Sequence, residues 1–140
     1  TYDRWHGWWR ASRRGIASAH AFGSGLSYTT FELGAVDISK AGGAIVVRGS
    51  VRNTGARDGS DVVQVYAELP DADAPDRLVG FTRVDVAPGG SAAFEVVVPV
   101  ERLATRDAAA KAWRSATGRH AISVGRFAGD PASVRTDIDL

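Results

Sequence analysis

From residue 26 onward, apolar and polar positions alternate in short runs with a period of two. Ile45, Val47 and Val51 fall on one side of such a run, with Val46, Arg48, Ser50 and Arg52 on the other. Val63, Val65, Ala67 and Leu69 alternate with Gln64, Tyr66 and Glu68. Phe94, Val96 and Val98 share a face, as do His120, Ile122 and Val124, and again Val134, Thr136, Ile138 and Leu140. A period of two places one set of side chains on each face of a strand, so each run predicts a strand with one buried face. The run from Leu78 to Val86 breaks phase, because Phe81 and Val84 are three apart, and Gly80 in the same run is read as marking a bulge.

Turn-forming residues separate the runs: Ala41-Gly42-Gly43, Asn53-Thr54-Gly55, the stretch from Pro70 to Pro75, Pro88-Gly89-Gly90 and Gly129-Asp130-Pro131. With Tyr28–Ser39 included, the pattern predicts about seven strands in an all-β, antiparallel sandwich of immunoglobulin type. The Ala-rich stretch Ala104–Ala112 is the one helical candidate beyond the strands, and its shortness favours a loop with a single turn.

Residues 1–25 have a different texture. They show no strand or helix period and are read as an irregular arm leading into a sandwich over residues 26–140. Tyr2, Trp5, Trp8, Trp9 and Phe22 are concentrated there. So are Arg4, Arg10, Arg13 and Arg14, opposed in residues 1–20 by Asp3 alone, whereas the remaining residues hold 13 basic and 15 acidic side chains. The whole chain has a net charge of +1, which argues against a dedicated nucleic-acid binder. No apolar run reaches the length of a membrane span, and no signal-peptide pattern is present. With no cysteine, disulfides and thiolate metal sites are excluded, while the compartment stays open. The chain also lacks methionine and opens at Thr1, which suits a segment of a longer polypeptide.

Candidate chemistry is sparse. His6, His20 and His120 have no metal-ligand spacing, and His120, on a strand's apolar face, reads as a packed, hydrogen-bonded side chain. Glycoside hydrolysis needs two carboxyl groups about 5–10 Å apart across a cleft, and no pair stands out. Asp71, Asp73 and Asp76 cluster in one loop, but Pro75 disrupts calcium-loop spacing, and a solvated acidic loop is the better reading. No catalytic, cofactor-binding or metal-binding residue is assigned. The arm is the informative feature. Trp5, His6, Trp8, Trp9 and Arg10 suit docking against another domain, since aromatic and Arg side chains are enriched at interfaces. Indole faces also suit a sugar ring, and contact with nucleic acid or a membrane surface is a third, weaker option.

One resemblance covers nearly the whole chain. Tyr2-Asp3-Arg4-Trp5-His6-Gly7, then Phe22-Gly23-Ser24-Gly25-Leu26-Ser27-Tyr28-Thr29-Thr30-Phe31, resembles the junction that leads into the C-terminal domain of family 3 glycoside hydrolases. The likeness continues through Val51-Arg52-Asn53-Thr54-Gly55, Gly59-Ser60-Asp61-Val62-Val63-Gln64-Val65-Tyr66 and Leu78-Val79-Gly80-Phe81, and ends at Gly118 to Gly125. Ala21 stands where the family pattern has proline, and His120 where tyrosine is usual. The resemblance implies a fibronectin type III-like domain that follows the catalytic domains of a β-glucosidase. The nucleophile and acid/base residues would lie in those upstream domains, which are the expected partner. An oligosaccharide is a further expected partner, and no nucleic acid, membrane or cofactor is expected.

Overall fold

The computed structural model describes residues 5–69 and 76–140. The strands are β1 (Phe31–Ala41), β2 (Ala44–Asn53), β3 (Gly59–Ala67), β4 (Arg77–Val86), β5 (Ser91–Pro99), β6 (Thr105–Asp107), β7 (Ala112–Arg114), β8 (Arg119–Gly125) and β9 (Val134–Asp139). Seven of them form two antiparallel sheets, one in the order β1-β2-β5 and the other in the order β4-β3-β8-β9. The chain changes sheets between β2 and β3, between β4 and β5, and again between β5 and β8. Strands adjacent in sequence therefore face each other across a core, as in immunoglobulin-type sandwiches.

That core is made by the alternating faces. Ile45, Val47 and Val51 of β2 and Phe94, Val96 and Val98 of β5 are buried against Val63, Val65 and Ala67 of β3 and Ile122 and Val124 of β8. β-Branched side chains predominate because they fit a pleated, buried face. Leu103, fully buried in a 3₁₀ turn at Val100–Leu103, closes one end. The predicted bulge is present in β4. Leu78 pairs with Tyr66 and Gly80 with Val65, which leaves Val79, beside Gly80, as the extra residue, while from Phe81 to Val84 the pairing is regular and the two side chains lie on opposite faces.

Two expectations are corrected. The stretch Ala104–Ala112 does contain a turn, over residues 108–111, but that turn is the tip of a hairpin whose strands were not expected. The stretch spans most of the hairpin β6–β7, in which Thr105 pairs with Arg114 and Asp107 with Ala112. Asp107 sets the tip: its Oδ1 accepts from the N–H groups of Ala109 and Ala110, an Asx-type turn that outcompetes the helix propensity of alanine. These backbone donors, together with the Arg114 guanidinium, hold the Asp107 carboxyl below its usual range. The arm is not wholly irregular either, since it contains a helix, α1 (Gly7–Arg13).

The arm and the cleft beneath it

Helix α1 has only seven residues and no side-chain N-cap, so it cannot persist on its own propensity. Its C-terminus is well made. Gly15 adopts φ +64°, its N–H donates to Ser12 O at 3.0 Å, and Ile16 N–H donates to Ala11 O at 2.9 Å. This is a Schellman arrangement with glycine at the left-handed position. Arg10 and Arg13 in the last turn complement the helix dipole.

Aromatic packing supplies the remaining support. The Trp8 ring lies parallel to Phe22, with centroids 4.9 Å apart and planes 9° from parallel. Trp9 tilts against Trp8 at 5.8 Å, and His6 meets Trp9 edge-on at 6.1 Å. The Arg13 guanidinium lies 4.1 Å from the centre of the Trp5 ring, within cation–π range. The structure thus brings His6, Trp8 and Trp9 into one cluster with Phe22, and sets Trp5 against Arg13. Arg10 is exposed on the helix, and the Trp9 indole N–H is buried without an acceptor among the described residues.

The arm lies on the outer face of the four-stranded sheet, the face opposite Val63 and Val65. Gln64, 3% exposed, is its anchor. The Gln64 side-chain amide donates to Gly23 O at 2.9 Å and to Arg126 O at 2.7 Å, and its Oε1 accepts from the Tyr66 hydroxyl at 2.6 Å. Ala128 N–H donates to Phe22 O at 2.9 Å. Every polar atom of the Gln64 side chain is therefore engaged, as a buried amide requires.

Between α1 and the sheet runs a cleft of about 510 Å³. Trp8, Ala11, Ile16 and Phe22 form its arm side, and Tyr66, Asp76, Ser123 and Arg135 its sheet side. Burial raises the Asp76 carboxyl above its usual range, and the neighbouring Glu68 adds to this, while Arg135 opposes it. Arg135 is paired with Glu68 and lies 4.0 Å from Asp76. Burial, with Asp76 adding to it, pushes the Tyr66 hydroxyl up to about 12. At neutral pH Tyr66 is therefore a hydrogen-bond donor. Among the described residues no group of three or more His, Asp or Glu side chains converges on a point that could hold a metal ion. Asp71 and Asp73 of the acidic loop, like Tyr2 of the arm, lie outside the described residues. His120 is packed as expected, 2% exposed, with Nδ1 3.3 Å from Glu68 O and Nε2 3.2 Å from Thr117 O.

Two residues, Asn53 of a motif and Arg126 just beyond one, have roles that spacing alone does not reveal. Asn53 is fully buried where β2 ends. It donates to Arg57 O at 2.7 Å and to Val86 O at 2.9 Å, and accepts from the Thr29 hydroxyl at 2.6 Å and from Gly55 N–H at 3.0 Å. Arg126 pairs with Asp61, donates to Phe31 O at 2.9 Å, and receives its own backbone anchor from buried Asp130. The N–T–G and D–V–V–Q–V–Y motifs thus hold loops together at one end of the sandwich.

Residues 61–128 match the fibronectin type III-like domain family. Together with the two-sheet topology, that match is decisive. The chain carries a fibronectin type III-like domain. It is 35% identical over 139 residues to a probable β-glucosidase M of Emericella nidulans, with 83% of this chain and 18% of that protein covered. It is 38% identical over 108 residues to a xylan 1,4-β-xylosidase of Xylanibacter ruminicola, with 74% of this chain and 12% of that protein covered. The crystal structure of DesR, a β-glucosidase from Streptomyces venezuelae in complex with D-glucose, superposes with a TM-score of 0.81 at 32% identity, covering 92% of this chain and 17% of that one. This fibronectin type III-like domain therefore spans less than a fifth of each relative, and the likeness to part of a family 3 glycoside hydrolase holds over most of its length.

Proposed function

We propose that this chain is a non-catalytic accessory module of a β-glucosidase-type glycoside hydrolase, with residues 1–25 as the joining arm and 26–140 as the sandwich. It stabilises the catalytic domains and borders their substrate cleft, and Trp5, His6, Trp8, Trp9 and Arg10 contribute to the contact. The observation that carries this reading is the small share of each relative that the chain spans. The relatives' names support it, since one is a β-glucosidase and another a β-xylosidase. A part shared between enzymes that act on different sugars suits a supporting role better than a role in substrate choice.

The test begins with hydrolysis of p-nitrophenyl β-glucoside by the purified chain, for which no turnover is expected. The chain then replaces the matching segment of the Streptomyces venezuelae enzyme. The chimera should hydrolyse the substrate and outlast, on heating, the same enzyme cut short. Turnover by the chain alone would overturn the reading.

The cleft favours a second reading, an oligosaccharide contact. Trp8, Phe22 and Tyr66 offer aromatic walls, and Asp76 and Arg135 offer hydrogen-bonding groups at the rim. Cello-oligosaccharides at millimolar concentration should then quench the tryptophan fluorescence of the chain. An unchanged spectrum would remove this reading and leave the first intact.

A further inference from the structure

The segment between the arm and β1 is patterned the opposite way from the rest of the sandwich. One of its polar side chains, that of Thr29, turns inward, while Ser27 and Thr30 are exposed. The Thr29 hydroxyl donates to the buried Asn53 at 2.6 Å, and Ser27 Oγ accepts from Thr29 N–H at 3.3 Å. Its large apolar side chains turn outward. Leu26 is 93% exposed and Tyr28 is 92% exposed, close to their accessibility in an unfolded chain.

The backbone that presents them is tied on both sides. Gly23 O accepts from Gln64, and Ser24 bonds Ala21 O through both its N–H and its hydroxyl, at 3.0 and 2.7 Å. Thr54 N–H donates to Thr30 O at 2.8 Å, and the hydroxyls of Thr30 and Thr54 lie 2.7 Å apart. A single exposed leucine is ordinary. Two apolar side chains held on a segment pinned through Thr29, Thr30 and Gly23 form a surface pre-arranged for contact.

The surroundings define the partner's chemistry. Residues 21–31 contain no Asp, Glu, Lys or Arg, so the complementary surface is apolar and neither a nucleic acid nor an anionic lipid. The segment follows the arm directly, and the relatives are more than five times longer than the part matched. We infer that Leu26 and Tyr28 form a docking surface for an apolar patch on the catalytic body of the same longer polypeptide, separate from the aromatic cluster of α1. This rests on the accessory-module reading and adds to it where the contact is made.

The test uses Leu26→Ser/Tyr28→Ser in two settings: the 140-residue chain alone, and chimeras in which the chain replaces the matching segment of the Streptomyces venezuelae or the Emericella nidulans enzyme. Two recipients guard against one failing to fold. The chain alone should melt as the unsubstituted chain does. The chimeras should lose activity on heating about fivefold faster or more, the factor that follows from roughly 1 kcal/mol. Because the chain has no cysteine, Leu26→Cys gives a single thiol within it. That thiol should react rapidly with a maleimide in the chain alone and slowly in a chimera. If the chimeras are stabilised but indifferent to the double substitution, with a thiol at 26 that stays reactive, this inference fails and the module reading stands. If no chimera is stabilised, the module reading fails with it. A lower melting temperature of the substituted chain alone would make Leu26 and Tyr28 internal packing. A concentration-dependent dimer lost on double substitution would make a second copy the partner. Either result would overturn the inference.

Discussion

The Gln64 side-chain amide binds Gly23 so closely that a Cβ at Gly23 would lie 2.2 Å from Gln64 Oε1. Gly23 also adopts φ +79°, a conformation that side-chain-bearing residues adopt at a cost. Gly23→Ala should therefore destabilise the chain by about 1–3 kcal/mol, the cost of left-handed strain, and also displace the Gln64 amide. Chemical denaturation measures the first effect. A shift of the Gln64 side-chain NH₂ resonances toward solvent-exposed values would report the second.

Asn53 makes four hydrogen bonds in a fully buried position. Asn53→Leu has a similar volume but leaves Arg57 O, Val86 O, the Thr29 hydroxyl and Gly55 N–H without their partner. Each buried polar group left unpaired costs about 1–3 kcal/mol. The variant should lose several kcal/mol or fail to fold. Asn53→Asp keeps the acceptor and loses the donors, so it should be similarly damaging above the carboxylate range and milder below it. A urea titration at acid and neutral pH checks both expectations.

Tyr66 makes stability fall at alkaline pH. In the unfolded chain its hydroxyl ionises near 10, whereas in the folded chain it keeps its proton to about 12. Between these values the folded state binds more protons, so folding stability is intact below pH 10 and declines as pH rises toward 12. Tyr66→Phe should remove that part of the slope, at the cost of the hydrogen bond to Gln64. Denaturation midpoints on either side of pH 10 decide the matter. A slope unaltered by Tyr66→Phe would assign the decline to other groups.

Trp8 holds α1 through its stack on Phe22. Trp8→Ala should remove about 0.5–1.5 kcal/mol of aromatic pairing. It should open α1 locally and leave the sandwich folded. Trypsin provides the readout, because Arg10, Arg13 and Arg14 lie in or beside the helix. Cleavage there should accelerate in the variant, while the β-strands resist as before.

Strands such as β5 were legible in the sequence because one face is buried and the other exposed, whereas parts of β3 and β8 are buried on both faces. Ile45 and Val47, or Phe94, Val96 and Val98, advertise their strands by period alone, and Gly80 marked a bulge at its neighbour Val79, whereas the three-residue spacing of Phe81 and Val84 reflects opposite faces of a regular stretch. Helix α1 was not legible, because none of its residues is buried and so no amphipathic period exists. Its signals were Gly15 and the basic last turn, which are capping signals rather than periodic ones. The hairpin at Ala112 was hidden for a related reason: alanine favours a helix locally, and one side chain, Asp107, reverses the outcome. The roles of Asn53 and Gln64 appeared in the sequence only as motif letters. Their partners, Val86 for one and Gly23 and Arg126 for the other, are brought to them by strand pairing and by the arm folding onto the sheet, which no local pattern records.

The attachment of the arm has a mechanical consequence. A pull on the N-terminal segment does not reach β1, an edge strand, first. It passes through Gly23 to Gln64, and so enters β3, an interior strand of the larger sheet, flanked on both sides by hydrogen-bonded neighbours. Load is shared across β4 and β8 before β1 can peel. A segment tethered in this way can transmit a tug from a neighbouring body without unzipping the sandwich from its rim.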